Sequence, residues 1–246
     1  MKRCAVVTGG GSGVGAAVAL ALAKADWTVV ITGRRQAALD ATCSLGGGAI
    51  HAISADISDQ DAVADLFAEV ADRFGRIDLL FNNAGLFPPP SPVQDVTLED
   101  WTHVMDVNLT GAFLCAQQAF RQMIRQSPQG GRIINNGSLS AQVPRPHAIS
   151  YTVSKHAITG LTRALALEGR PYGIACGQID IGNAATALTA GLAASAMQAD
   201  GSMAAEPMMD VNNVAASVVH MASLPLEANV QFMTVMATRM PFIGRG

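Results

Sequence analysis

The sequence predicts an α/β fold in which a parallel sheet carries helices on both faces. Short apolar runs typical of buried strands alternate with helical stretches at intervals of about 20 to 30 residues. Half of the 246 residues are hydrophobic and only 14% are charged, which suits a compact, well-buried core. No change of composition divides the chain. We therefore predict a single domain over residues 1–246.

Composition excludes several classes of partner. The net charge is −3 and there is no long basic run, so nothing favours nucleic acid or an anionic membrane as a partner. The four cysteines lack C-x-x-C spacing and the five histidines form no ligand-spaced cluster, so we expect no metal site and a reducing compartment. No apolar stretch approaches the roughly 18 residues of a membrane helix, and no signal peptide precedes the first strand-like run. We expect a soluble, cytoplasmic protein that acts on a small molecule.

The first element is a strand, glycine turn, helix and strand. Residues 4–7 form a strand-like run, TGGGSGVG follows at residues 8–15, an alanine-rich helix spans 16–24, and a second strand spans 28–31. Glycines there allow a tight turn and let backbone N–H groups approach a pyrophosphate at the helix N-terminus. The alternative is an ordinary glycine-rich loop. Its position between two strands favours a Rossmann-type dinucleotide site.

The second strand ends with features that favour a phosphorylated cofactor. Gly33 stands where NAD-binding units usually carry an acidic residue, and Arg34 and Arg35 follow it. A guanidinium group can bind a 2′-phosphate through two parallel hydrogen bonds. We predict NADP(H), with NAD(H) less favoured. Two solvated arginines at a helix start are the alternative.

The next segments repeat the pattern. We predict a strand at residues 49–53 followed by Asp56, an amphipathic helix at 59–74, and a buried strand at 77–81 that ends at Asn83. Doubly wound sheets bind ligands at the carboxyl ends of their strands, where the glycine turn, Arg34, Asp56 and Asn83 all fall.

The second half continues with a proline-rich loop at residues 87–92 and a long helical stretch at 98–126, broken or kinked near 108–111. A strand at 132–136 leads to Ser138, a helix runs from Tyr151 to about residue 168, and a strand-like run spans 173–176. For residues 178–210 we predict helices with flexible joins, with the part near 187–210 covering the site. A helix at 214–223 and a strand at 231–236 complete the chain.

Tyr151 and Lys155 are separated by four residues, so on a helix they lie on the same face. A nearby ammonium group favours the phenolate and lowers the pKa of a tyrosine, which suits Tyr151 to proton transfer. Taken alone, the spacing is also common on ordinary surface helices.

These features together resemble the short-chain dehydrogenase/reductase family over essentially the whole chain. The T-G-x-x-x-G-x-G motif falls on Thr8, Gly9, Gly13 and Gly15, and N-N-A-G falls on residues 82–85. The resemblance implies the catalytic set Asn108, Ser138, Tyr151 and Lys155. It implies a cofactor site formed by Gly9, Ser12, Gly13, Val14, Gly15, Arg34, Arg35, Asp56, Ile57, Asn83, Ala84, Gly85, Tyr151, Lys155, Gly182, Ala184 and Thr186.

The resemblance implies an enzyme that interconverts a carbonyl and an alcohol by hydride transfer. Tyr151 would exchange the proton, Ser138 would polarise the substrate oxygen, Lys155 would bind the nicotinamide ribose, and Asn108 would hold a water. Relatives commonly form tetramers or dimers through the long helices, so we expect a homo-oligomer. One departure is Ile181, which replaces a proline that usually flanks the nicotinamide.

Three functions remain open at this point. We favour a small alcohol, ketone or sugar-like substrate over the 3-oxoacyl group of a 3-oxoacyl-[acyl-carrier-protein] reductase. Carrier proteins are acidic, so that alternative would be supported by a basic patch at the site mouth, for which the chain offers Arg121, Arg125, Arg132 and Arg163. A non-catalytic nucleotide-binding regulator is the third. The substrate pocket is expected among residues 140–149, the loop near Phe87 and residues 187–207. Arg145 is interpreted as a surface residue, with a substrate-carboxylate anchor as the alternative.

Overall fold

The fold is built on one parallel sheet. The computed structural model describes residues 2–243, and within them seven strands pair in the order β3-β2-β1-β4-β5-β6-β9. The strands are β1 (Cys4–Thr8), β2 (Thr28–Gly33), β3 (Ile50–Ser54), β4 (Leu79–Asn82), β5 (Gly131–Asn136), β6 (Ile174–Ile181) and β9 (Phe232–Val235). A separate two-stranded ladder joins β7 (Ala196–Met197) to β8 (Met203–Ala204).

Helices cover both faces of the sheet. They are α1 (Gly13–Lys24), α2 (Gln36–Leu45), α3 (Gln60–Phe74), α4 (Leu98–Met105), α5 (Gly111–Arg125), α6 (Ile149–Glu168), α7 (Ala190–Ala194) and α8 (Val211–Ser223). The predicted doubly wound α/β class is confirmed. None of the helices within residues 2–243 is long and apolar enough to cross a membrane.

The core lies in two layers because successive strand residues point to opposite faces of the sheet. In β1, Val7 packs in the layer beneath α1 and α8, whereas Val6 packs in the layer beneath α3 and α5. In β4, Phe81 and Leu80 divide in the same way. A parallel sheet with both faces covered is therefore nearly continuous in apolar residues at its centre, which is why these strands were predictable.

The chain changes direction of winding at β1 and β4, which are neighbours in the sheet although β2 and β3 lie between them in sequence. A crevice opens at such a point, at the carboxyl ends of the strands. Residues at or just beyond the ends of β1, β2, β4 and β5, namely Gly9, Gly33, Asn83 and Asn136, line it.

The prediction of helices with flexible joins over residues 178–210 is wrong for residues 178–181, which belong to a strand. The sixth strand continues through Ile181, pairing with both β5 and β9. Gln178 and Asp180 interrupted the apolar pattern, yet both are buried, at 0% and 2% exposure. Their side chains bond to each other and to neighbouring donors, which offsets the cost of burying them. Residues 196–204 form the small ladder instead of a helix.

The predicted break in the long helix is confirmed. A π-helical turn, Asp106–Thr110, separates α4 from α5 and contains Asn108. Such turns insert an extra residue into the helical ladder and are frequent at functional sites.

Candidate active site

A cavity of about 320 Å³ lies at the crevice between β1 and β4. It is lined by Gly9, Gly11, Ser12, Gly13, Val14, Gly33, Arg34, Arg35, Ala38, Leu39, Ala55, Asp56, Ile57, Asn83, Ala84, Gly85, Leu86, Val107, Asn136, Thr186, Ala187 and Leu188. The predicted cofactor residues from Gly9 to Gly85 are among them, with Gly15 the exception. Three turn glycines, an arginine pair and the end of β4 thus share one cleft.

The glycine turn has the shape that a pyrophosphate requires. Gly9 and Gly13 have φ values of 66° and 54°, a region in which a side chain is strained. A Cβ on Gly15 would overlap the carbonyl oxygen of Gly9, so Gly15 brings α1 close to the turn without lining the cavity. The Ser12 hydroxyl makes no capping bond to α1. The first N–H groups of α1 therefore remain available for an anionic ligand.

Asn83 and Asn136 connect this turn to the neighbouring strands. The Thr8 hydroxyl oxygen accepts the Asn83 and Ala84 N–H groups, both at 2.9 Å. The Asn83 amide donates to the Thr8 carbonyl oxygen at 2.9 Å and accepts from the Asn136 amide at 2.9 Å. Sequence reasoning placed Asn136 in a strand and gave it no role. Its position two residues before Ser138 was the available signal.

Arg34 and Asp56 face each other at the end of the cleft beside β2. The Arg34 side chain is 63% exposed, and its Nη1 lies 3.9 Å from Asp56 Oδ2, which is a loose ion pair. Burial would raise the pKa of Asp56, but two hydrogen bonds from Ser58 and the charge of Arg34 outweigh it and lower that pKa. A Cβ on Gly33 would meet one Leu39 methyl at 3.8 Å, so β2 ends in an open space without a carboxylate.

Asn108 fastens the loop after β4. Its Oδ1 accepts the Leu86 N–H at 2.8 Å, and its Nδ2 donates to the Leu86 carbonyl oxygen at 3.0 Å and to Ser154 Oγ at 3.3 Å. The side chain is thus engaged with protein groups and joins that loop to α6. The water-holding role of Asn108 stays a prediction.

Ser138, Tyr151 and Lys155 come together beside the cleft. Lys155 is buried, and its Nζ donates to the Asn136 carbonyl oxygen at 2.7 Å and lies 5.6 Å from the centre of the Tyr151 ring. The Ser138 side chain interacts with the Tyr151 phenol. Phe87 packs edge-on against the Tyr151 ring, with centroids 4.8 Å apart, and so restricts the phenol. The predicted trio shares one site.

The pKa of Tyr151 shifts in the direction opposite to the one expected from its neighbour Lys155. Burial lowers the pKa of Lys155 to about 8, although the charge of Asp180 acts to raise it. Burial raises the pKa of Tyr151, and Asp180 adds to this, while Ser138 and Arg145 act against it. The predicted lowering of the Tyr151 pKa is therefore wrong for the protein alone. The loss of water around the phenol outweighs the neighbouring cation.

The interpretation of Arg145 as a surface residue is wrong, and its charge is already matched by a carboxylate of the protein. Its two terminal nitrogens donate to Glu206 Oε1 and Oε2 at 2.8 and 2.7 Å, and Nη2 also donates to Asn183 Oδ1 at 2.9 Å. The two side chains are 15% and 2% exposed. Burial would raise the pKa of Glu206, but the bonds from Arg145 and Asn183 lower it to about 2. This pair ties residues beyond the small ladder to the loop that precedes α6.

A second cavity, of about 420 Å³, adjoins that loop. Its lining residues are Ser91, Pro92, Val93, Gln94, Pro144, Arg145, His147, Ala148, Ile149 and Thr152. The proline-rich loop and residues 140–149, both predicted for the pocket, therefore meet. The Ser91 N–H donates to the His147 carbonyl oxygen at 2.9 Å, and His147 holds a φ of 58°.

The predicted residues after β6 are divided. Thr186 lines the cofactor cavity, as do Ala187 and Leu188, which were predicted to cover the site and to line the substrate pocket. Gly182 donates its N–H to Val235 and Ala184 is 3% exposed, and neither lines that cavity. Ile181 packs against the core layer beneath α1 and α8.

The described residues contain no group of three or more His, Cys, Asp or Glu side chains arranged to hold a metal ion. What the site does offer is a glycine turn with free N–H groups at the start of α1, a cleft lined by residues from the ends of several strands, and a phenol, hydroxyl and amine beside it. These groups fit a nicotinamide dinucleotide beside a proton-transfer centre.

Comparisons with known proteins agree with this geometry. A family model described as short chain dehydrogenase matches residues 3–197. The chain is 37% identical over 191 residues to a 3beta-hydroxysteroid dehydrogenase from Mediterraneibacter gnavus, a match that covers 76% of this chain and 68% of the relative.

Two solved structures share the fold at a TM-score of 0.86. A 3-ketoacyl-(acyl-carrier-protein) reductase from Brucella melitensis, complexed with NADH, is 25% identical, and the match covers 96% of this chain and 98% of that one. A variant of actinorhodin polyketide ketoreductase with NADPH is 26% identical, and the match covers 96% of each chain. A nicotinamide cofactor is thus supported. The chain belongs to the short-chain dehydrogenase/reductase family, and it is an oxidoreductase that acts on CH–OH groups.

Proposed function

We propose that this protein is an NADP(H)-dependent oxidoreductase that interconverts a carbonyl and an alcohol on a small alcohol, ketone or sugar-like substrate. The observation that carries the proposal is the meeting of Ser138, Tyr151 and Lys155 at one end of the dinucleotide cleft. A bound nicotinamide cofactor supplies or accepts the hydride. The protein supplies position and proton transfer.

Each residue has a role that its contacts support. The Tyr151 phenol gives a proton to the substrate oxygen during reduction and takes it back during oxidation. Ser138 donates a hydrogen bond to the same oxygen. The raised pKa of Tyr151 suits it to hold that proton at neutral pH. The Lys155 ammonium lies 5.6 Å from the centre of the Tyr151 ring and donates to the carbonyl oxygen of Asn136, which lines the cleft. Asn108 holds the loop that borders the cleft.

The NADP(H) preference rests on the end of β2. Gly33 leaves the space that a ribose-binding carboxylate would fill, and Arg34 and Arg35 border the cavity there. Arg34 is held only by the loose contact with Asp56, so its guanidinium group is free to meet a 2′-phosphate. The glycine turn itself supplies no positive charge. A Cβ at Gly11 would lie 3.1 Å from the Ala38 Cβ, and a longer side chain there would crowd α2. Arg34 and Arg35 therefore supply the positive charge.

The test is kcat/KM with NADPH and with NADH, using a panel of small ketones. We expect NADPH to be preferred, and Arg34→Ala to reduce kcat/KM for NADPH about tenfold or more while changing that for NADH little. Arg163→Ala, on the far half of α6, is the matched control and should change neither value. A wild-type preference for NADH would contradict the cofactor assignment, and no oxidation of NADPH with any ketone would favour a nucleotide-binding regulator.

The positions of four arginines make the acyl-carrier-protein alternative the less favoured one. Arg132 is 2% exposed and is bonded to Asn229 and three carbonyl oxygens near the start of β9. Arg121 and Arg125 lie toward the end of α5, and Arg163 lies 12 positions beyond Tyr151, about 18 Å along α6. None of these four lines either described cavity. Comparing free small ketones with a 3-oxoacyl group carried on an acidic carrier protein separates the two substrates.

We also propose that the protein is a homo-oligomer, a tetramer or a dimer. Phe113 on α5 is 44% exposed and Val153 on α6 is 39% exposed, and both are apolar positions on long helices. Light scattering of the purified protein tests this directly.

A further inference from the structure

Asp180 is a buried carboxylate at the carboxyl end of β6, directly beneath the candidate catalytic residues. It is 2% exposed. Its Oδ1 accepts the Ser138 N–H at 3.2 Å and the Gln178 amide at 2.7 Å, and its Oδ2 accepts the Gln142 amide at 2.8 Å. Every one of these partners is a donor. An ionised carboxylate, which only accepts, satisfies all three without rearrangement.

The carboxylate is built into the turn that presents Ser138. A Cβ on Gly137 would overlap Asp180 Oδ1, so the chain passes against the carboxylate one residue before Ser138. The Gly137 N–H donates to the Ile179 carbonyl oxygen at 2.8 Å, and Ser138 donates to Asp180 itself. The position of the Ser138 hydroxyl, and through it the phenol, is therefore tied to the end of β6.

The charge of Asp180 also reaches both proton-transfer groups. The charges of Arg145 and Asp180 act on the pKa of Tyr151, and the charge of Asp180 acts on the pKa of Lys155, whose ammonium itself lies 5.6 Å from the centre of the Tyr151 ring. Arg145 is itself neutralised by Glu206 through two hydrogen bonds. Lys155 donates to a neutral carbonyl oxygen, and the charge of Asp180, which acts to raise the Lys155 pKa, partly offsets the burial of the ammonium.

We propose that Asp180 is a positioning residue that fixes Ser138 and whose negative charge helps the Tyr151–Lys155 pair to hold its protons. The pair then remains able to donate a proton up to a higher pH than it would without Asp180. The part that concerns reduction rests on the proposed function. A buried anion disfavours loss of a proton from a neighbouring phenol and from a neighbouring ammonium alike. Removing its charge makes both groups release their protons more readily.

The first test needs no substrate. The chain contains two tyrosines, Tyr151 and Tyr172, so a Tyr172→Phe background leaves Tyr151 as the single source of tyrosinate absorbance. In that background Asp180→Asn should move the Tyr151 titration about one pH unit lower. Asp78→Asn is the matched control. Asp78 is also a partly buried carboxylate, paired with Arg76 and bonded to the Cys4 N–H, but it lies at the amino end of the sheet. This control should not move the titration.

A second variant protects the test against a failure of Asp180→Asn to fold. Gln142 is exposed and bonded to Asp180 Oδ2, so Gln142→Lys places an ammonium group beside the carboxylate without changing a buried residue. It should move the Tyr151 titration in the same direction, whereas Gln142→Met should move it less. An unchanged or upward titration in both Asp180→Asn and Gln142→Lys would overturn the proposal.

The second test uses the enzyme. With NADPH and a reducible ketone, the alkaline fall of kcat/KM should begin about one pH unit lower in Asp180→Asn than in the wild type. A purely structural Asp180 would lower activity at every pH and leave the position of the fall unchanged, which would contradict the proposal. If the wild type reduces no ketone, the proposed function fails, and the tyrosine titration still decides the electrostatic role of Asp180.

Discussion

Lys155 should make the folded protein less stable at neutral pH than a neutral side chain of similar size would. Burial lowers its pKa from 10.5 to about 8 in the absence of cofactor. Below about pH 8 the amine is protonated in both the folded and the unfolded chain, and the folded state carries the full cost of the buried charge. Between about 8 and 10.5 the folded lysine is neutral while the unfolded lysine still holds its proton, so stability rises with pH. The whole difference corresponds to about 3 kcal/mol.

The variant Lys155→Met, compared with the wild type, measures this cost. From about pH 7 to about pH 9.5 the wild type should gain about 2 kcal/mol relative to the variant, because most of the titration of folded Lys155 falls in that interval. Loss of the hydrogen bond to Asn136 affects the difference at both pH values and largely cancels. The assay is urea unfolding without cofactor. Lys24→Met, at an exposed position at the end of α1, is the control and should show no such gain. A pH-independent difference between wild type and Lys155→Met would refute the reasoning.

Three further predictions concern the site and its supports. Tyr151→Phe should abolish nearly all turnover while leaving NADPH affinity largely intact, since it removes only the phenolic oxygen; wild-type kcat in that variant, measured by cofactor absorbance, would rule out the mechanism. Glu206→Gln leaves Arg145 without its buried counter-charge and should lower the free energy of unfolding by about 3 kcal/mol. The control is Glu69→Gln in the exposed Glu69–Arg73 pair, which should lower it by about 0.5 kcal/mol or less. Equal urea midpoints for the two variants would contradict this. Gly137→Ala should cost about 1–3 kcal/mol because its Cβ would overlap Asp180, whereas Gly160→Ala, with open space around it, should be neutral or stabilising in thermal unfolding.

The fold was largely predictable because its strands are buried on both faces. Runs such as Ala5–Val6–Val7 and Leu79–Leu80–Phe81 leave little choice of structure, and the predicted strands begin or end within two or three residues of the observed ones. The break near Asn108 was also foreseen, since Asn, Thr and Gly weaken a helix there. The sixth strand was cut short in the prediction because Gln178 and Asp180 are polar. Pattern analysis assigns polar residues to the surface, and only the tertiary hydrogen bonds show why these two are inside.

The site residues fall into two groups in the same way: those that a local motif specifies and those whose roles depend on tertiary contacts. Positions that a motif specifies, such as Gly9, Asn83 and Tyr151, were located from spacing, because a tight turn requires glycine and because the phenol and the amide occur at fixed places in the motifs. The roles of Phe87, Asn136 and Asp180 depend on contacts between segments far apart in sequence. Arg145 is the clearest case: its partner is 61 positions away, so sequence alone could not show that its charge is already matched.

The two buried carboxylates near this site tie separate segments of the chain together. Glu206 forms an ion pair with Arg145, whereas Asp180 accepts hydrogen bonds from neutral donors, and its charge only partly offsets the burial of the Lys155 ammonium. A buried ion pair contributes little net stability compared with apolar side chains, because desolvation offsets most of the attraction, but losing one member is costly. Asp180 joins β6 to the turn at Ser138, and Glu206 joins the chain beyond the small ladder to the loop before α6. The charges therefore favour one relative placement of these segments over others. That placement is what a hydride-transfer site needs, since the phenol and the hydroxyl must both reach the same substrate oxygen.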